Sequence, residues 1–592
     1  MSSKENFMSR QTERSWAVAA RVTAALGLAL LAACAAPSRA ASTSTGLANL
    51  RALKPVMSCA SVAQMDLHGV ADGAVAIQSA TVVTDGAPAP YCAVKGTIAP
   101  ADIFVMRLPV NGWTQRYVQT GCGGLCGSAN INYAAASTCP VVTDGTVASA
   151  TTDMGHEGAP DGSWAAGNPQ AQIDFAYRGM HATAEVAKAI LAKFYGKRPV
   201  YSYFDGCSDG GREALMEAQR YPDDFNGIVA GAPANDIVVQ NTFHHGWNVL
   251  TNKDANGNAI LLAAKLPLIH AAVLAACDGI DGVVDGLIDD PRQCHFRPAS
   301  MTCAAGQDPA TCLSDAEAGV VQRLHDGATD AQGRHLEQKI AHEWGSELDW
   351  TLFVPAAPGQ PTFSESIALS YLRYLAYFNV ADPAYQLADL KFDVKTFWKT
   401  VQTSSYIAAT DPDLSDFARR GNKLLLWHGW ADQHIPPRGT IKYWHAVNDV
   451  LGDRLVDQFA RFYLFPGMAH CGGGLGPNTF DIVTPLMSWV ETNSAPNAIV
   501  ASNTSTSTSR PVYPYPAVAR LKAPRLDPKV AANFVAYTPK KEPPVSDFVG
   551  NYLFSPDYPQ ARCHAEGTKL VCSDDRRHDG HDDDGRHDEA QR

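Results

Sequence analysis

Short apolar runs, each stopped by turn residues, recur along this chain and predict its elements before any chemistry is considered. Ala80-Thr-Val-Val-Thr84 stops at Asp85-Gly86, and Ile103-Phe-Val-Met-Arg-Leu108 stops at Pro109, so residues 50 to 110 read as an opening β layer. Gln115-Arg-Tyr-Val-Gln-Thr120 is a further strand that runs into Gly121-Cys122-Gly123-Gly124. Residues 172 to 195 carry apolar positions at helical spacing. Pro199-Val-Tyr-Ser-Tyr-Phe204 is β-branched and aromatic, whereas Glu213-Ala-Leu-Met-Glu-Ala-Gln-Arg220 consists of strong helix formers and ends before Tyr221-Pro222. Gly227-Ile-Val-Ala-Gly231 is the next parallel strand. From about Asp236 to Thr403 the pattern changes to long polar and aromatic stretches, and it resumes after Gly421 with the buried strands Lys423-Leu-Leu-Leu-Trp-His428 and Arg461-Phe-Tyr-Leu-Phe465.

This alternation predicts an α/β architecture in two parts, residues 35–235 and 406–536, with a large insertion over 236–405 and a C-terminal extension over 537–592. Organisation weakens beyond about residue 537. Asp574 to Arg592 holds eight acidic, four basic and three histidine residues, which predicts a disordered, solvated tail from about 574. At the other end, Lys4, Arg10, Arg14 and Arg21 precede the uncharged run Val22 to Ala33. A basic start, a short apolar run and small residues describe an export signal over residues 1–34. Leu31-Ala32-Ala33-Cys34 resembles a lipobox, which makes Cys34 the candidate lipid anchor; cleavage after Ser38-Arg39-Ala40 is the competing reading. Either way the mature chain is expected outside the cytoplasm, in the periplasm, on the outer membrane or secreted.

Charge and cysteine usage narrow this further. Loss of four basic and two acidic residues with the leader takes the formal charge of -12 to about -14. No basic field remains for nucleic acid or anionic lipid. Fourteen cysteines in an exported chain imply disulfides. Close spacing suggests Cys59 with Cys92, Cys277 with Cys294, Cys303 with Cys312 and Cys563 with Cys572, while Cys122, Cys126 and Cys139 stay unassigned.

The chemistry gathers at Gly206-Cys207-Ser208-Asp209-Gly210, a G-x-S-x-G turn between a strand and a helix. Such a nucleophile elbow needs glycines because a Cβ would collide with neighbouring backbone, and it holds the serine Oγ exposed. Ser208 requires a base and a carboxylate that orients the base. His470 and Asp432 each lie just past a predicted strand, and Ser208, Asp432, His470 is the chain order of α/β hydrolases. Polar residues at the carboxyl ends of successive strands converge on one edge of a sheet. His428 reads as structural, His156, His244 and His245 lack a comparable setting, and Asp453 and Asp457 are weaker alternatives to Asp432. The Gly121–Gly124 loop supplies an oxyanion contact through Cys122, opposite the N–H of Asp209. Bringing Ser208 to His470 also brings Cys207 close enough to Cys471 for a disulfide.

Gly206-Cys-Ser-Asp-Gly-Gly-Arg212, Phe225-Asn-Gly-Ile-Val-Ala-Gly-Ala-Pro233, His428-Gly-Trp-Ala-Asp432 and Pro466-Gly-Met-Ala-His-Cys471 together resemble the tannase and feruloyl esterase family, which includes mono(hydroxyethyl) terephthalate hydrolase. The resemblance covers about residues 50 to 536. It implies an α/β-hydrolase fold with a lid insertion between nucleophile and acid, the triad Ser208, Asp432 and His470, and the disulfide Cys207–Cys471. Related members carry a further cysteine pair where Tyr513 and Ala536 stand here, so that bridge is absent. The insertion contains Cys277-Asp278-Gly-Ile-Asp281-Gly-Val-Val-Asp285-Gly-Leu-Ile-Asp289. Carboxylates in a glycine-rich loop suit calcium, although the spacing is not an EF-hand and a solvated acidic turn has the same composition. The resemblance implies structural calcium held by Asp278, Asp281 and Asp285, by the carbonyls of Val283 and Leu287, and by Asp289.

The expected activity is hydrolysis of small aromatic carboxylic esters, feruloyl or galloyl, through an acyl-enzyme without an organic cofactor. A terephthalate monoester hydrolase is the alternative. It is weakened because Gly359-Gln-Pro-Thr-Phe363-Ser364 offers no arginine to clamp a second carboxylate. A surface protein that binds phenolics without turning them over is the alternative of another class. The aromatic residues of the insertion, among them Trp247, Trp344, Trp350, Phe363, Tyr371, Tyr374, Tyr377 and Phe378, either line an apolar pocket or pack as core, and helical spacing favours core for the last four.

Overall fold

A computed structural model of the chain describes residues 46–158 and 161–574. The expected leader with Cys34 and the acidic tail lie outside the described residues. Nine strands form one sheet in the order β1-β2-β3-β5-β4-β6-β7-β8-β9. They are β1 (Val75–Val83), β2 (Tyr91–Ile98), β3 (Asp102–Pro109), β4 (Arg116–Thr120), β5 (Ala148–Thr152), β6 (Tyr201–Cys207), β7 (Gly227–Gly231), β8 (Lys423–Gly429) and β9 (Ala460–Phe465). The first three strands and β5 pair antiparallel, and from β5 through β4, β6, β7, β8 and β9 every pairing is parallel.

Sequence pattern and position in the sheet agree. β2, near the edge, alternates buried and more exposed residues. β6 and β7, covered on both faces, are buried almost throughout. Helices α1 (Gly179–Tyr195) and α2 (Asp209–Arg220) flank β6 in the chain. The fold is that of an α/β hydrolase. β5 escaped the hydrophobic pattern because Ala-Ser-Ala-Thr-Thr contains no large apolar residue; it is fully buried between β3 and β4.

β7 and β8 are neighbours in the sheet, with Val229 opposite Leu425, yet the insertion separates them in the chain. It therefore leaves the sheet at the carboxyl end of β7, on the edge where Ser208 follows the neighbouring β6, and returns at the opposite edge to begin β8. Its first half has its own core of Leu266, Ile269, Val273, Leu324, Trp350 and Phe353. Its second half joins the main core instead. Tyr371 is fully buried there, and Tyr374, Tyr377 and Phe378 pack against the same cluster, which settles these four as core residues.

The extension past residue 537 is better organised than its composition suggests. Phe548, Leu553, Phe554 and Tyr558 are buried in the main core. The hairpin Ala561–Glu566 with Lys569–Asp574 is closed by Cys563–Cys572. It is tied down by Tyr177, whose hydroxyl donates to the Cys563 carbonyl and accepts from its amide. Isolated aromatics among prolines and aspartates give no periodicity, so burial by docking on another element leaves no mark in the sequence.

All four close-spaced cysteine pairs are bonded, and Cys122–Cys126 and Cys207–Cys471 complete six disulfides among the described residues. Cys139 is the free thiol among them. It is buried beside the Thr484 hydroxyl, and burial pushes its pKa up to about 12, so it is inert at neutral pH.

Candidate active site

Ser208 joins β6 to α2 with φ 68° and ψ -122°, a conformation that L-residues adopt at a cost of about 1–3 kcal/mol. The glycines make this turn possible. A Cβ on Gly206 would lie 2.2 Å from the Gly210 carbonyl oxygen, and one on Gly211 would lie 2.4 Å from that of Gly231. The serine backbone is fixed from both sides, its amide donating to Gly231 and its carbonyl accepting from Gly211, Arg212 and Ala234. The Asp209 amide, first in α2, has no acceptor among the described residues and points with the positive end of the helix.

The Asp209 side chain is occupied elsewhere. It pairs with the fully buried Arg212, whose guanidinium also donates to the carbonyls of Phe175, Ala176 and Ile407. Arg212 thus pins the start of the nucleophile helix to the segment before α1 and to the end of the insertion. Its role was not legible in sequence, where it appeared only as the last residue of a motif.

The glycine loop after β4 corrects one expectation. The Cys122 carbonyl accepts from the Gly210 amide at 2.7 Å, which seats the loop against the elbow, but the Cys122 amide donates to Glu213 Oε1 at 3.0 Å. That N–H is spent on a carboxyl one helical turn past the nucleophile. The amides of Gly123 and Gly124 are the ones without an acceptor among the described residues. A buried acceptor four residues into α2 could not be foreseen from loop composition.

Asp432 follows β8 and is buried. Its Oδ1 accepts the amides of His434 and Ile435, both at 2.8 Å, and its Oδ2 accepts Nδ1–H of His470 at 2.7 Å. Burial alone would raise its pKa; the charge and hydrogen bonds of His470 and His428 outweigh that and hold the carboxyl well below its usual range. The bond to Nδ1 leaves Nε2 of His470 as the basic nitrogen. Nε2 lies 3.6 Å from the Cys471 sulfur of the Cys207–Cys471 disulfide, whose Cα atoms are 6.1 Å apart. This bond joins the residue before Ser208 to the residue after His470. Asp453 and Asp457 lie instead on the surface helix Asp453–Phe459.

Histidines passed over in the sequence also gather here. His434 packs edge-on to His470 at 4.8 Å between ring centroids, and His245 packs on His434 at 4.7 Å. Burial, then the neighbouring histidines, depress both pKa values, that of His434 to about 3, so both rings are neutral at pH 7. Phe363, 38 % exposed, stands 5.1 Å from His434. His428 is buried against Asp432, with its Nε2 3.1 Å from Oδ2. His156 lies apart, stacked on Trp164 and bonded to the Leu125 carbonyl.

In the insertion, the Asp278 carboxylate accepts the amides of Asp285 and Gly286, and Asp281 accepts that of Val283. Asp285 and Asp289 both pair with the buried guanidinium of Arg510, which reaches in from the strand Thr508–Val512. Arg510 also feels the charge of Asp281, so a single ion-paired guanidinium serves three of the four carboxylates. Burial first, and then neighbouring carboxylates, raise Asp281 to about 6 and Asp289 to about 7. The carbonyls of Val283 and Leu287 accept no hydrogen bond among the described residues. Surplus negative charge and free carbonyl oxygens fit a hard divalent cation such as calcium.

Comparison with known proteins decides the family. The profile described as "Tannase and feruloyl esterase" matches residues 82–534. The chain belongs to the tannase and feruloyl esterase family. It is 32% identical over 523 residues to an uncharacterised esterase of Xanthomonas campestris, covering 80% of this chain and 87% of that one. It is also 32% identical over 542 residues to mono(2-hydroxyethyl) terephthalate hydrolase of Piscinibacter sakaiensis, covering 79% and 87%. A probable feruloyl esterase of Arthroderma benhamiae is 31% identical over 446 residues, covering 69% and 78%. Among solved structures, feruloyl esterase B from Aspergillus oryzae superposes with a TM-score of 0.71 at 24% identity, covering 81% of this chain and all (100%) of that one. Members of this family are carboxylic ester hydrolases, and so is this protein.

Proposed function

We propose that this tannase-family enzyme is an exported serine esterase that cleaves esters of aromatic carboxylic acids, with Ser208 as nucleophile, His470 as base and Asp432 as its orienting acid. The observation that carries the reading is the covalent tie between Cys207 and Cys471, which holds a strained elbow serine beside a histidine already bonded through Nδ1 to a buried carboxylate. Nε2 of His470 takes the Ser208 proton as Oγ attacks the ester carbonyl, then returns it to the leaving alcohol. The negative oxygen forms against the Asp209 amide and a free amide of the Gly123–Gly124 loop. Water repeats the sequence on the acyl-enzyme.

An aromatic acyl group is supported by the names of the relatives and by Phe363 beside the neutral rings of His434 and His245. Six disulfides support an oxidising compartment outside the cytoplasm, in keeping with the export signal. Methyl ferulate, methyl gallate and mono(2-hydroxyethyl) terephthalate form the deciding panel, together with a fluorophosphonate probe. The expected result is turnover of the first two above the third and covalent labelling of Ser208. Binding without turnover or labelling would instead make this a phenolic-binding protein, and preference for the third would make it a terephthalate monoester hydrolase.

Calcium held by Asp278, Asp281, Asp285, Asp289 and the carbonyls of Val283 and Leu287 belongs to the same proposal, as a brace for the insertion. An ion bound only by the native state stabilises it by mass action, so excess chelator should lower Tm by several degrees and calcium should restore it. Unchanged Tm together with no calcium in elemental analysis of the purified protein would remove the ion from the proposal.

A further inference from the structure

We infer that His428 is a positioning residue for the Asp432 carboxylate, an inference that rests on the triad reading above. His428 is the penultimate residue of β8, is fully buried and stands four residues before Asp432. Its Nε2 lies 3.0 Å from the carbonyl oxygen of Ile435, which can only accept, so Nε2 carries the proton. The same N–H lies 3.1 Å from Asp432 Oδ2. Its Nδ1 sits 2.9 Å from the Thr440 hydroxyl, which holds the ring plane in place. His428 therefore turns a protonated Nε2 toward the Ile435 carbonyl and Asp432.

This completes the shell around the acid. Oδ1 takes two backbone amides, and Oδ2 takes the N–H of His470 and faces Nε2 of His428 at 3.1 Å. A carboxylate so saturated cannot rotate, and its charge on Oδ2 is divided between two imidazoles. Sharing moderates its pull on His470. With the full charge available, the imidazolium would be held more firmly and would become a poorer acid toward the leaving group.

The other titratable groups facing this pair act from further away. His434 meets the ring of His470 and His245 that of His434, and the charge of Asp432 reaches His342 and Asp349 in the insertion. Among the described residues no side chain other than those of His470 and His428 stands within hydrogen-bond distance of the Asp432 carboxylate.

A residue that merely filled space between β8 and the helix Pro437–Leu451 would be replaceable by another side chain of similar volume. His428→Phe keeps volume without the donor, whereas His428→Gln keeps an N–H. With methyl ferulate, His428→Phe should lose at least about tenfold in kcat, the scale of a hydrogen bond to a charged group, with KM changing less than about twofold. The acid limb of its kcat/KM profile should move to higher pH, because an unshared carboxylate raises the affinity of His470 for its proton. His428→Gln should recover most of kcat and return the limb toward the wild-type position. Wild-type kcat and limb in His428→Phe, or equal losses in both variants with an unmoved limb, would overturn the inference. Nitrogen NMR of the wild-type enzyme decides independently of any variant's folding: the His428 proton must reside on Nε2, and an Nδ1-protonated ring overturns the inference. Ser208→Ala separates the two layers. Activity in that variant refutes the triad itself, while an inactive Ser208→Ala beside a wild-type-like His428→Phe refutes only the role of His428.

Discussion

Ser208→Ala and His470→Ala should each lower kcat/KM on methyl ferulate by roughly a thousandfold or more, because triad members act as one unit and their loss is measured in several orders of magnitude. The fold should persist. Ser208 makes its backbone bonds through main-chain atoms that alanine retains, and alanine at φ 68° carries much the same strain as serine. Melting temperatures within a few degrees of wild type would separate lost chemistry from lost structure. A residual rate above about 1% of wild type in purified Ser208→Ala would rule this serine out as the nucleophile.

Removing the Cys207–Cys471 bond should come next in effect, and here stability and turnover should part company. Its partners are 264 residues apart, for which the chain-entropy argument gives about 5.6 kcal/mol, against about 2.6 kcal/mol for Cys303–Cys312 with its separation of 9. Turnover should suffer more than either figure suggests. A shift of about 1 Å between nucleophile and base can cost roughly a hundredfold in rate. Alanine at both Cys207 and Cys471 should therefore depress kcat strongly even at temperatures where the variant remains folded, whereas the Cys303/Cys312 double variant should lose stability alone. Full turnover in a folded protein lacking Cys207–Cys471 would confine the bond to stability.

The sequence made β6, the elbow and the ends of β8 and β9 legible because each joins a dense apolar run to a sharp change of composition, and such runs are buried wherever they fall in a parallel sheet. What it hid were contacts made by buried polar groups. Glu213, His434 and Arg510 each act on a residue that another element brings to them, as Arg212 does on the carbonyls of Phe175, Ala176 and Ile407, and no spacing rule relates the partners. The Cys122 amide illustrates the cost of this blindness, since its loop was placed beside the elbow by composition while its N–H was already taken. β5 and the docked aromatics of the extension were missed for the opposite reason, because small or scattered apolar residues bury well without periodicity.

The long connection between β7 and β8 also dictates an order of assembly. During synthesis the strand bearing Ser208 emerges well before the two strands that present Asp432 and His470, so the sheet stays open along β7 until the whole insertion has been made. Pairing across so long a loop is slow, and an unpaired parallel edge is prone to aggregation in the interval. Cys207 meets Cys122, Cys126 and Cys139 before Cys471 exists. The bond nearest the chemistry thus closes late, with only Cys563–Cys572 built from residues made after it, and recombinant yield of this enzyme will depend on thiol exchange in the host compartment more than on the final stability of the fold.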